Sequence, residues 1–230
     1  MFPEIEWLFG SIFSYYLLYN LVDFLYRGNE YYNQLADDRK KYFQKNIVKS
    51  YSLAGISIFG SYFVYQGFFN NNWDNTTIRR VGYMYSALDA LGLIVVKNLP
   101  MNSKIHHSST VLFSYLNTLV DYSQPTFWIG LPIYCMLSCY SFGVNYFLGM
   151  RLITPLKKMT RMIEFNIITY SLCLIINWAY QIYNVLRLER FTWDVWLFIG
   201  LVLFVVNDDI KLVTFLIHHW QKSKNSELPN

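Results

Sequence analysis

Two adjacent histidine pairs, His106 with His107 and His218 with His219, and a small number of acids inside apolar runs are the groups in this sequence best able to do chemistry. Imidazole exchanges a proton near neutrality, and its ring nitrogens can act as base, acid or transient acyl acceptor. Neighbours on a helix point about 100° apart, so only one member of a pair can share a face with a given stripe. His107 falls in line with Thr110, Ser114, Asn117 and Asp121 at steps of three and four, one continuous helical face. His107 therefore ranks above His106 as a candidate catalytic group, with His106 in support. Asp89 stands inside a third apolar run, one helical step from Ser86, and an intramembrane carboxylate is a functional candidate by default. Asp208, Asp209 and Lys211 form a further ionic group. Each has a structural alternative: an interfacial anchor for the histidines, an i, i+3 ion pair for Asp208 and Lys211, and a hydroxyl partner for Asp89.

No metal site is expected, because neither histidine pair has the HxxxH or HxxHH spacing of histidine-box enzymes. The sequence also has no nucleotide loop, GxSxG elbow or CxxC pair. Cys135, Cys139 and Cys173 lie in apolar runs and read as small buried hydrophobes.

The elements that must position these groups are apolar helices. The chain has 230 residues, 54% hydrophobic and 15% charged, with 11 Gly and 6 Pro, which excludes an ordinary soluble domain, a disordered tail and a disulfide scaffold. A net charge of +4 is too small to imply nucleic acid. Crossing about 30 Å of hydrocarbon takes about 20 apolar residues. Seven candidate spans run from Ile5 to Tyr26, Ile47 to Phe69, Val81 to Val96, His107 to Val120, Phe127 to Met150, Phe165 to Val185 and Trp193 to Trp220. The third and fourth are short and form a hairpin around Pro100. The expected architecture is an all-α polytopic membrane protein of one integral domain, residues 1–230, with a leading transmembrane helix at 5–26. The acidic flank of Glu4 and Glu6 and the length of the first span exclude a cleaved signal.

Polar stripes recur on four spans. Besides that of His107, there are Asn166, Tyr170, Cys173, Asn177, Tyr180 and Asn184 on the sixth span, and Gly200, Asn207, Lys211, Thr214 and His218 on the seventh. Ser50, Ala54, Ser57 and Ser61 on the second read as packing glue. The other three stripes outline a cavity in which Thr110, Ser114, Asn145, Asn166, Asn177, Asn207, Asp208, Lys211 and His218 are the candidate lining residues.

Counting Lys and Arg between spans puts thirteen on one side (Arg27, Arg39, Lys40, Lys41, Lys45, Lys97, Lys104, Arg151, Lys157, Lys158, Arg161, Lys222, Lys224) and four on the other (Arg79, Arg80, Arg187, Arg190). By the positive-inside rule the N-terminus is lumenal or outside, the C-terminus is cytosolic, and the cavity opens toward the cytosol. The sequon Asn75-Thr76-Thr77 falls on the lumenal side, where a glycan could be attached.

From Gly82 to Arg151 the order of features resembles the TLC domain, the family of translocon-associated TRAM, the ceramide synthases and CLN8. The matching pieces are Gly82-Tyr83 opening a span with an Asp, then Ile105-His106-His107 leading into Thr110, then Ser141, Asn145 and Arg151 in SFGVNYFLGMR. The resemblance covers about Tyr42 to Lys222, a six-helix TLC-like core of residues 42–222 behind the leading span. No HDxxD element follows Asp121, so it implies a divergent member outside the ceramide synthases. It implies a protein of the endoplasmic reticulum or another endomembrane that binds or modifies membrane lipids in lipid homeostasis. Acyl transfer would use His107 and His106, with Asp89 orienting the imidazole. Acyl-CoA would be co-substrate, approaching over Arg151, Lys157 and Lys158, and no other cofactor is implied. The alternatives are a non-catalytic lipid-binding or cargo-escort protein and, more remotely, a retinal-binding seven-helix photoreceptor with Lys211 as attachment point.

Overall fold

The computed structural model describes residues 4–70, 72–124, 126–188 and 190–225. The ends of the expected single domain, residues 1–3 and 226–230, lie outside the described residues. Within them the chain is helical and free of strands. In order the helices are α1 (Ile5–Tyr26), the short α2 (Glu30–Asn33), α3 (Asp37–Asn70), α4 (Asn75–Val95), α5 (Met101–Leu119), α6 (Gly130–Tyr140), α7 (Phe142–Met150), α8 (Thr160–Leu186) and α9 (Trp193–Asn225).

Local sequence sets the ends. Asp37 and Asp38 put negative charge on the first turn of α3, where the helix dipole favours it. Asp74 caps α4 by accepting the Thr77 amide at 2.8 Å. Pro100, which cannot continue α4, opens α5 and accepts from the Lys104 amide at 3.0 Å. α6 and α7 form one rod bent by 46° at Ser141. The backbone carbonyls near the bend are met by side chains: Ser50 donates to Phe142 O at 2.9 Å and Asn166 Nδ2 to Gly143 O at 3.0 Å.

Taking α6 and α7 together, seven rods alternate in direction among the described residues. At one end Tyr26 reaches Met150 Sδ at 3.8 Å, Lys45 lies against Gly92, and Trp220 Nε1 donates to Glu164 at 2.8 Å. At the other, Asn75 meets Asp121, Gln181 donates to Gly130 O, and Asn184 donates to Phe127 O. The thirteen cations assigned to one side by sequence thus belong to one end of the bundle, which we term the basic end.

Among the described residues three helices, α1, α3 and the one ending at Leu186, are long and apolar enough to cross a membrane, and the bent α6–α7 pair is a fourth if its two halves make one span. The expected seven spans include three more rods, α4, α5 and α9, that fall short of that standard. The physical reason is local: these rods carry Asp89, the His106–His107 pair, and Asp208, Asp209 and Lys211. Phe13, Phe59, Phe69, Ile168, Ile175 and Trp193 stay exposed on the outer faces of the bundle, as suits rods facing lipid.

The apolar interior is divided into three clusters. One joins α1, α3, α4 and α6 around Phe43, Leu53 and Leu88; another joins α7, α8 and α9 around Phe147, Ile163 and Leu216; the third joins α5, α6 and α9 around Phe113 and Phe198.

Candidate functional site

A cavity of about 430 Å³ lies toward the basic end, bordered by Tyr42, Lys45, Lys49, His106, His107, Tyr134, Ser138, Ser141, Asn145, Arg151, Tyr170, Asp208, Asp209 and Lys211. Its walls come from α3, α4, α5, α6–α7, α8 and α9, and Pro100, Arg151 and Lys211 stand among its lining at that end.

Behind one wall is a buried ionic chain. Asp89 is 0% exposed and His107 5%, with His107 Nδ1 2.7 Å from Asp89 Oδ1, an ion-pair distance outside good hydrogen-bond alignment. Lys49, 6% exposed, makes a very short contact with the same Asp89 oxygen. Lys45, 4% exposed, places Nζ 2.7 Å from His107 Nε2. Nδ1 faces the carboxylate and Nε2 faces the Lys45 amine; in the tautomer that carries its proton on Nδ1, Nε2 is free to accept from Lys45. Asp89 Oδ2 has no hydrogen-bond partner. Burying such charges is costly unless they are paired, and the Lys49–Asp89 contact supplies that pairing between α3 and α4.

A second link crosses from α5 to α9. His106 Nδ1 is 2.8 Å from Asp208 Oδ2, with both groups partly exposed. The adjacent Asp209 is buried and accepts from the Tyr170 hydroxyl at 2.7 Å, while its other oxygen is unpartnered. The ion pair expected within α9 between Asp208 and Lys211 is replaced by this cross-helix pair. Lys211 points to an exposed position on the cavity rim.

The candidate residues divide accordingly. His106, His107, Asn145, Arg151, Asp208 and Lys211 line the cavity, and Asp89 stands directly behind His107. Thr110 and Ser114 border a separate space of about 60 Å³ farther along α5, and Thr110 donates back to His106 O at 3.1 Å. Asn166 is a latch on the bent rod, as its bond to Gly143 shows. Asn177 accepts from Gln181 at 3.0 Å and borders a third, almost wholly apolar space of about 230 Å³ between α8 and α9. Asn207 and His218 are exposed. The stripe Asn207, Lys211, Thr214 and His218 is not the inward face of α9: Val205, Asp209 and Leu216 are buried instead, a displacement of the inward line that a step of about 100° per residue produces. Lys157 and Lys158 are exposed and outside the cavity lining.

Sequence reasoning missed Lys45 and Lys49. Lys45 was counted with the basic connection and Lys49 was given no role, whereas both are buried in α3. The available signal was their i, i+4 spacing within the polar run Gln44, Lys45, Asn46, Lys49, Ser50 at the head of an apolar span.

The ligand atoms of Asp89, His106 and His107 lie within 4.8 Å of one another, close enough to share a metal ion. Two ammonium groups already stand on this set, Lys49 on Asp89 and Lys45 on His107. A divalent cation would meet like-charge repulsion from both. The chemistry this arrangement favours is proton transfer at His107 and anion binding by the cations.

Asn75, the sequon residue, uses its side chain in full: Nδ2 donates to Asp121 Oδ1 at 2.7 Å and Oδ1 accepts from the Tyr122 amide at 2.7 Å. A glycan on Nδ2 would disturb this tie between the start of α4 and the end of α5.

Comparison with protein families, with characterised proteins and with solved structures returns no match to this chain.

Proposed function

We propose that the chain is an integral membrane protein of seven crossings, similar to the TLC group outside the ceramide synthases, that transfers an acyl group from acyl-CoA to a membrane lipid. The alternating rods and the thirteen-to-four distribution of cations support an N-terminus on the lumenal or outer side and a C-terminus in the cytosol. An endomembrane such as the endoplasmic reticulum fits that reading. The cavity then faces the cytosol, where acyl-CoA is met, with Arg151 and Lys211 beside its phosphates.

The observation that carries the reading is the buried Asp89–His107 pair behind the wall of a cavity large enough for a ligand. Asp89, 2.7 Å from Nδ1, would hold the imidazole in the tautomer whose Nε2 can accept a proton. His107 would take the proton from an acceptor hydroxyl as its oxygen attacks the thioester carbon. The carbon–sulfur bond would then break, and the imidazolium would return the proton to the departing thiolate. His106, held to Asp208, sets the position of α5 against α9.

A non-catalytic lipid-binding or escort function is the second reading. It is favoured by Lys45, whose Nζ lies 2.7 Å from Nε2, the nitrogen a base would use. Mass spectrometry of lipids and covalent adducts carried by the purified protein, wild type and His107→Ala, separates the two. New acylated lipid or an acyl adduct formed only by wild type supports transfer. An intact bound lipid that neither protein converts supports escort.

A further inference from the structure

We propose that Lys45 is a ligand-operated latch on His107, released when an anionic group, a phosphate of a nucleotide-type donor or of a lipid headgroup, enters the cavity. This rests on His107 being the reacting base, but its test does not depend on turnover. Lys45 is 4% exposed, and its Nζ lies 2.7 Å from His107 Nε2. The nearby carboxylate Asp89 is engaged by Lys49. Among the described residues Lys45 thus has no carboxylate in direct contact, only the imidazole and the Tyr42 ring 5.6 Å away, and holding a positive charge there is costly in a way that an incoming anion would relieve.

The rest of the cavity favours the same ligand. Arg151 and Lys211 border it and form no carboxylate pair among the described residues, whereas Asp208 is paired with His106; Asp209 accepts from Tyr170 through one oxygen and leaves the other unpartnered. The Arg151 guanidinium lies 4.9 Å from the Phe215 ring centroid, which fixes it beside the cavity. The stem of Lys45 lies over Gly92, where even a methyl group would meet Cε at 3.2 Å, so the stem is supported on one side, and the residue is part of the cavity lining. A full negative charge attracts an ammonium more strongly than a neutral imidazole does. Binding the anion would draw Nζ away and free the Nε2 lone pair. The base would then become available only when a ligand is in place.

The test is solid-state NMR of the full chain in phosphatidylcholine bilayers, with 15N in lysine side chains and 13C in histidine rings. His107→Gln and Lys45→Met assign the coupled pair. The expected result is a Lys45 Nζ–His107 ring coupling in the ligand-free protein that is lost on adding coenzyme A or phosphatidate. Loss with coenzyme A alone identifies a nucleotide phosphate as the releasing group, and loss with phosphatidate alone identifies a lipid headgroup. In parallel, Lys45→Met should weaken binding of the effective probe about tenfold or more, while Lys45→Arg retains most of it. A coupling that neither probe changes, or probe binding equal in Lys45→Met and wild type, overturns the latch. Release of the coupling without acyl turnover would leave the latch standing and remove acyl transfer. Turnover with the coupling intact would do the reverse.

Discussion

Lys45 Nζ and His107 Nε2 lie 2.7 Å apart, so an amine on α3 meets the ring nitrogen that a base on α5 would use. On the other side of the ring, Nδ1 is 2.7 Å from Asp89. The imidazole is thus held between a carboxylate and an ammonium, and both of its nitrogens have assigned roles. Its neighbour His106 has a different one, pairing with Asp208 on α9.

This division predicts unequal effects. His107→Ala should lower acyl transfer by about 10²–10⁴-fold, the usual range for losing a general base. His106→Ala should cost roughly tenfold or less, because it loosens α5 against α9 without touching the reacting atoms. Initial rates with one long-chain acyl-CoA check both, and equal losses would contradict the assignment.

Asp89 and Lys49 supply a stability test. Each is buried, and removing one leaves the other uncompensated, at a cost of about 3–5 kcal/mol. Asp89→Asn and Lys49→Met should each destabilise strongly, while the double variant should recover much of the loss. Denaturant unfolding in detergent measures this double-mutant cycle. Additive losses would mean that the two groups are not coupled.

Gly143 and Asn166 make a second cycle. A Cβ at Gly143 would overlap the Asn166 amide oxygen, whose Nδ2 donates to Gly143 O. Gly143→Ala should cost about 1–3 kcal/mol by overpacking. In an Asn166→Ala background the added methyl group should cost less, as read from thermal unfolding of the four proteins.

Much of the bundle was legible. α1 begins and ends where hydropathy alone places it, and the alternation of cations agrees with the direction of the rods. Asp89 and His107 were recoverable because an acid and an imidazole in apolar helices are conspicuous. Lys45 and Lys49 were not, since a lysine near a helix end reads as a solvated charge until a partner on another helix is known. The face of α9 was misread for a related reason: polar spacing was satisfied by Asn207, Lys211 and His218, yet packing against α5 and α8 turned Asp208 and Asp209 inward. Pairwise contacts between distant segments decide such cases, and a single-helix pattern does not contain them.

The tie at the opposite end should respond to acid. The Asn75 amide, followed by the Ser123 hydroxyl and backbone amide, holds the Asp121 carboxyl below the usual carboxylate range. A folded-state value below the unfolded one stabilises the tie above the unfolded pKa, about 3.9, and that contribution is lost as pH falls through the folded value. The exchange protection factor of the Ser123 amide should therefore drop below about pH 4. Constant protection from about pH 6 to about pH 2 would contradict the linkage.

The central claim is that His107, set by Asp89, acts on an acyl donor in the cavity at the basic end. Its most direct measurement is release of the coenzyme A thiol from a long-chain acyl-CoA by the purified protein in lipid nanodiscs containing an extract of endomembrane lipids. Thiol release should be coupled mole for mole to a new acylated lipid and should be lost in His107→Ala with the fold retained. No thiol release by the wild type, or equal release by His107→Ala, would contradict it.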